Sequence, residues 1–214
     1  MNKFMMVLAS CCLATSALAS SEVKLDTVQV GVDVPTMGRG VEALMNDCHS
    51  CHSLKYIKYR DLVILGVDKK KVDEWRGDQP LDAALMAQMA EGDAMQSFGK
   101  APPDLSLMTK ARDGGANYVY SYLLGYYTTP DGSVKNHLFP DTKMPDILGM
   151  SSAKEAAERT AIQGKARDIV SFMTWASDPH AQERKSLGYY VMGYLFVLTL
   201  MLYFVKNQIW AKLK

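Results

Sequence analysis

Apolar positions along this chain recur at helical spacing in several short runs, and near the C-terminus they stop alternating with polar ones altogether. Gly38-Arg39-Gly40 leads into VEALMND, which predicts a short helix that delivers Cys48. Leu81, Leu85 and Met89 predict a second helix over Pro80 to Glu91, with Gly92 as its stop. Tyr118, Val119, Tyr122, Leu123 and Tyr126 share one side of a helix over Ala116 to Tyr127. The last helix of the body has Ile162, Ala166, Ile169, Val170 and Met173 as its buried stripe; Ser152 and Glu155 offer a capping box upstream, and Pro179 ends it. Strand-like alternation is scarce. KLDTVQVGVDV (24–34) is the one fair candidate, expected mostly as an extended arm.

The final pattern is of another kind. From Leu187 to Val205 there is no charge, a run that spans roughly 28 Å as a helix, close to the ~30 Å apolar core of a bilayer. Tyr189, Tyr190 and Trp210 stand where interfacial aromatics belong, and Lys206, Lys212 and Lys214 follow the span. At the other end, Lys3, an apolar run and Ala17-Leu18-Ala19 predict a secretory leader over residues 1–19. A lipoprotein cut before Cys11 is the alternative. The expected plan is a leader (1–19), a folded body (20–185), a transmembrane helix (187–205) and a cytoplasmic tail (206–214). The signal places the body on the outer side of the membrane.

Composition changes this picture little. A net charge of +1 and the lack of a basic patch interleaved with aromatics argue against nucleic acid. Cysteine usage matters more. Of four cysteines, leader removal takes Cys11 and Cys12 and leaves Cys48 and Cys51 in DCHSCHS (47–53). Cys48 to His52 form C-x-x-C-H, the attachment pattern of c-type haem. Two thiols one turn apart reach the two vinyl groups of one porphyrin, and the next residue brings an imidazole beneath the iron. A structural zinc site needs four ligands, usually in two pairs, whereas His137 and His180 stand alone. A redox dithiol needs a strand–helix unit that is not evident around this pair. His49 is expected to be an exposed polar residue of the loop.

A haem also takes a sixth ligand or leaves that position open. Among 14 methionines, Met144 is distinctive because it lies in HLFPDTKMPDIL, a loop stiffened by Pro140 and Pro145. Met150 and Met108 are the alternatives. APPDLS (101–106) offers proline-rich carbonyls to orient an imidazole ligand, and Lys110 and Arg112 follow as candidate partners of a propionate.

The order CHSCHSLKYIKYRDL, APPDLS, KARDGGANYVYSYLLGYY, FPDTKMPDIL and MTWASDPHAQERKSLG, followed by a C-terminal anchor, resembles the cytochrome c1 family of cytochrome bc1 complexes over nearly the whole mature chain. The resemblance implies a mainly α, cytochrome c-like haem domain with long loops and one C-terminal transmembrane helix. It implies one haem c bound through thioethers at Cys48 and Cys51, with His52 as proximal and Met144 as distal iron ligand. Pro103 is then expected against the haem, and Arg112 and Tyr118 at the propionates. The implied role is electron transfer from the Rieske iron–sulfur protein to a soluble or membrane-bound cytochrome c. The chain would be a carrier within a quinol–cytochrome c reductase rather than a catalyst by itself. Implied partners are the cytochrome b subunit and a dimeric multi-subunit complex, in a bacterial inner membrane with the haem domain in the periplasm. Two features depart from mitochondrial relatives. Lys143 precedes Met144 where they have alanine, and Asp33, Asp131, Asp141 and Asp146 are too scattered for an acidic docking stretch. The rival reading is a tail-anchored zinc or thiol interaction protein without haem.

Overall fold

Asp33 opens the first helix by accepting a hydrogen bond from Thr36 N at 2.9 Å, with a proline in the first turn. This computed structural model describes residues 24–212, so the expected leader, with Cys11 and Cys12, and Lys214 lie outside the described residues. Helix α1 (Val34–Asp47) buries Met37, Gly40, Val41, Leu44 and Met45, a stripe at helical spacing. That stripe packs on α6 (Ala156–Ala176), whose buried residues include Ile162, Ala166, Ile169, Val170, Phe172 and Met173, as its sequence periodicity predicts. The two backbones touch at Gly40, where an added Cβ would stand 2.1 Å from Asp168 O. Next to that contact, Arg39 Nε donates to Asp168 Oδ2 at 2.6 Å and closes the crossing with a charge-assisted bond.

Between these helices the chain adds short elements: β1 (Leu54–Lys58), α2 (Tyr59–Ile64), α3 (Lys69–Arg76), β2 (Ala84–Leu85), α4 (Glu91–Phe98) and α5 (Gly115–Leu124). Then come β3 (Tyr126–Thr128) and β4 (Val134–Asn136). β1 pairs antiparallel with β2, and β3 with β4 in the register Tyr126–Asn136, Tyr127–Lys135, Thr128–Val134. Helix α5 packs on α6 and starts at a Gly-Gly step. Gly114 and Gly115 have φ of +86° and +56°, a conformation that explains the paired glycines of RDGGANY.

Three expectations need correction. Pro80 to Glu91 is not a helix; it holds a turn and β2, and the helix begins at Glu91, with Gly92 in its first turn rather than at its end. The backbone there is engaged elsewhere: Tyr59 N donates to Ala83 O, Arg60 N to Leu81 O and Met89 N to Ser50 O. Leu81, Leu85 and Met89 therefore owe their burial or contacts to strand β1 and the turn at Ser50, not to a helical face. The Ser152–Glu155 capping box is also absent. Ser152 Oγ donates to Gly149 O, and Glu155 is an N-cap without a side-chain bond. The helix expected to reach Tyr127 ends at Leu124, since Tyr126 belongs to β3.

Residues 24–31 form an arm without strand pairing. It is held by side chains instead of a ladder: Asp26 N donates to Ser121 Oγ, Val28 N to Asn117 Oδ1 and Gly31 N to Ser171 Oγ. Helix α7 (Ala181–Ala211) runs 31 residues, includes the uncharged run and buries none of them within the chain. Its first turn is tied to the body by Asp178, which accepts from Arg184 and from Lys110 Nζ at 2.6 Å. Those partners, Arg184 first, hold the Asp178 carboxyl below its usual range.

His49 overturns another expectation. It is 1% exposed, and neither ring nitrogen has a hydrogen-bond partner among the described residues. Its main-chain N–H donates to Leu44 O, which draws the residue into the last turn of α1 rather than into solvent.

Two outcomes follow. Gly40→Ala forces its Cβ against the Asp168 carbonyl, so the α1–α6 crossing should open at a cost of at least about 2 kcal/mol, read as a lower denaturant midpoint. Burial depresses the His49 imidazole below its ordinary 6.5. The unfolded chain therefore takes up that proton first, and stability present above pH 6.5 is lost as pH falls toward the folded pKa. His49→Leu should leave stability equal or higher at neutral pH and flatten its decline on acidification. Denaturant titrations above and below pH 6.5 test this, and an unchanged slope would refute it.

Candidate functional site

At the end of α1 the chain makes one more turn: Cys48 N donates to Leu44 O, Cys51 N to Cys48 O and His52 N to Cys48 O. This turn brings Cys48, Cys51 and His52 to the wall of one cavity of ≈ 400 Å³, which His49 does not line. Both thiols are free. Burial pushes the Cys48 thiol up to about 12, with the neighbouring Asp47 carboxylate adding to the rise. Such a thiol stays protonated at neutral pH, unlike the low-pKa cysteine of a disulfide-exchange site. No cluster of three or more His, Cys, Asp or Glu side chains suited to a metal ion occurs among the described residues, so nothing there supports a zinc reading.

His52 is 8% exposed and its Nδ1 lies 2.8 Å from Pro103 O. A carbonyl only accepts, so Nδ1 carries the proton and Nε2 keeps its lone pair for an electrophile. Desolvation lowers the His52 pKa, opposed by the Pro103 bond and the Asp104 charge, and this keeps the ring neutral as ligation requires. The loop that presents Pro103 is sewn to the segment after His52. Leu105 N donates to Ser53 O at 2.8 Å, Lys55 N to Asp104 Oδ2 at 2.9 Å and Tyr56 N to Ser106 Oγ at 3.1 Å.

The remaining sequence candidates divide. Pro103, Arg112, Tyr118 and Met144 all line the cavity, and so does Met108. Met150 does not; it is buried in a separate small cluster with Ala153 and Ile162. Lys110 is engaged by Asp178 and lies outside the cavity lining. Arg112 is exposed at the rim, as are Lys100 and Lys143. Leu105, Val119, Leu123, Ile169 and Met173 make the inner wall apolar.

Sequence reading missed several contributors. Tyr122, Phe139 and Thr142 line the cavity, and Asn136 is fully buried beneath its edge. Tyr122 was legible only as a core position of α5. Phe139 and Thr142 sit in a loop without periodicity, and nothing in the sequence pairs them with α5.

A cavity with an apolar wall, two unpaired thiols three residues apart and an oriented imidazole fits a covalently attached porphyrin. The chain matches the sequence profile of the Cytochrome C1 family over residues 24–84 and 73–213. It is 32% identical to cytochrome c1 of Allochromatium vinosum, over 83% of this chain and 84% of that protein. To cytochrome c1 of Rhodospirillum rubrum it is 30% identical, over 85% and 83% of the two chains. It also matches the cytochrome b/c1 protein of Bradyrhizobium diazoefficiens at 29% identity, over 84% of this chain and 33% of that longer one. Cytochrome c1 is a c-type haem protein, and the spacing of Cys48 and Cys51 accords with one covalent haem. The mostly helical fold and the haem are those of an electron-transfer subunit of the bc1 complex, and among the described residues one helix, at the C-terminus, is long and apolar enough to cross a membrane. The chain belongs to the cytochrome c1 family.

Proposed function

We propose that this chain takes one electron at a time from the Rieske iron–sulfur protein and passes it to a c-type cytochrome, soluble or membrane-bound. In this reading Cys48 and Cys51 would hold a porphyrin through two thioethers, His52 and Met144 would ligate its iron, Pro103 would lie beside the histidine, and Arg112 and Tyr118 would hold the propionates. The haem supplies the one-electron couple. The observation that carries the reading is the His52–Pro103 bond, because it aims a neutral imidazole into the cavity that Cys48, Cys51 and Met144 also line.

The chain's own residues then set the couple. The apolar wall excludes water from the ring, and the thioether stabilises reduced iron; both raise the potential and suit transfer over oxygen chemistry. Of the four scattered acidic residues, Asp33 caps α1, Asp131 accepts from Ser133 N, and Asp146 accepts from Gly149 N and Ser151 N. These three serve local turns, while Lys100, Lys143 and Arg112 stand at the rim. This supports an acceptor that does not depend on a strongly basic face. The joined name of the Bradyrhizobium protein supports cytochrome b as the neighbour of this chain, within a dimeric multi-subunit complex. The expected leader and the apolar C-terminal helix support a haem domain in the periplasm of a bacterial inner membrane, with residues 206–214 as the cytoplasmic tail.

Membranes resolved on a denaturing gel and stained for haem should show covalent haem in this chain, and Cys48→Ala/Cys51→Ala should abolish it. Met144→Leu should keep the haem attached but lower its midpoint potential by at least about 60 mV, one decade in a one-electron equilibrium. An unchanged potential would transfer the role to Met108, the other of the three candidate methionines at the cavity wall.

A further inference from the structure

The segment that carries Met144 lies between β4 and α6 and has no helix or strand of its own. Its prolines narrow the backbone choices but anchor nothing, since neither Pro140 nor Pro145 has an N–H to donate. Anchorage comes from α5 and the residues just after it. Tyr126, 5% exposed, has its hydroxyl 3.0 Å from Met144 O, and because a carbonyl only accepts, the phenol is the donor. Tyr122 OH stands 2.5 Å from Thr142 Oγ1, and the same oxygen accepts from Met144 N at 3.3 Å. The two phenols are 3.3 Å apart, their rings packed edge to face at 5.9 Å. Asn136 fixes the near end of the loop: its Nδ2 donates to Tyr122 O at 2.7 Å and its Oδ1 accepts from Leu138 N at 2.9 Å.

Both peptide groups of Met144 are thus tied, its C=O directly by Tyr126 and its N–H through Thr142 to Tyr122. We infer that Tyr126, seconded by Tyr122, is a positioning residue that holds the Met144 thioether at the haem iron and so keeps the sixth site closed to other ligands. The inference rests on Met144 as the distal ligand. A neutral thioether is a weak ligand, so a backbone that can withdraw it lets exogenous molecules compete. Losing one hydrogen bond of ordinary net strength shifts such an open–closed balance on the order of tenfold.

The test uses the full-length, haem-loaded chain in detergent or in its complex, with Tyr126→Phe, Tyr122→Phe and Met144→Leu beside the native protein. Three readouts are followed: the long-wavelength band of thioether-ligated ferric haem, carbon monoxide binding by the reduced form, and global unfolding by far-ultraviolet circular dichroism. Tyr126→Phe should retain covalent haem and lose the thioether band well below its unfolding temperature. Its carbon monoxide-reactive fraction should rise on the order of tenfold. Tyr122→Phe should shift both in the same direction by less, and it carries the test if Tyr126→Phe does not accumulate. A band that disappears only with the fold in both variants, with no gain in carbon monoxide binding, overturns the positioning role. If Met144→Leu abolishes the band in that case, the ligand assignment survives the loss. A band that persists in Met144→Leu sinks both together.

Discussion

One hydrogen bond organises the site: His52 Nδ1–H to the carbonyl of Pro103, 2.8 Å long and spanning 51 positions of sequence. An imidazole has two nitrogens and, when neutral, one proton, so the partner of one nitrogen decides what the other can do. Pro103 accepts a hydrogen bond from Nδ1–H, and the lone pair of Nε2 stays free. The same contact joins the C-x-x-C-H turn to the loop at 101–106, and three further bonds repeat that join from Ser53 to Tyr56, one to a main-chain carbonyl and two to the side chains of Asp104 and Ser106. The segment after the motif is a strand through its antiparallel pairing with β2, and it also carries the proline loop.

The other side of the cavity is built on a different principle. Met144 belongs to no regular element, and its backbone is satisfied by side chains from the end of α5 and the start of β3 rather than by a ladder. Buried hydroxyls and one buried amide take over the role that main-chain groups play elsewhere. Tyr118, Tyr122 and Tyr126 recur every four residues, so one helical face and its continuation supply wall and tether.

Both sides depend on the α1–α6 crossing. The missing side chain of Gly40 lets α1 lie against the Asp168 carbonyl, and this sets where α1 ends and hence where Cys48 stands. Asp178 makes a comparable join at the far end of α6, with Lys110 after the proline loop and Arg184 at the start of the membrane helix. The haem domain and its anchor therefore meet at a salt-bridged corner, outside the cavity itself.

Local chemistry was legible in the sequence. The helical stripe of α6 and the uncharged run of α7 form helices as read, and the turn-length spacing of Cys48, Cys51 and His52 and the proline beside Met144 express constraints of the same short range. Met144 stood out from Met150 by its proline-flanked loop, whereas the burial of His49 and the true nature of residues 80–91 were not legible. Leu81, Leu85 and Met89 have a spacing that suits a helix, but Tyr59, Arg60 and Ser50 claim the backbone groups a helix would need. His49 looks like a loop polar residue until α1 packs and leaves no path to water. The sequence alone determined which chemistry the chain carries, because attachment and membrane insertion depend on short-range spacing and length. Which side chains surround that chemistry was decided by the tertiary structure, since contacts across tens to hundreds of residues form only when the helices have packed.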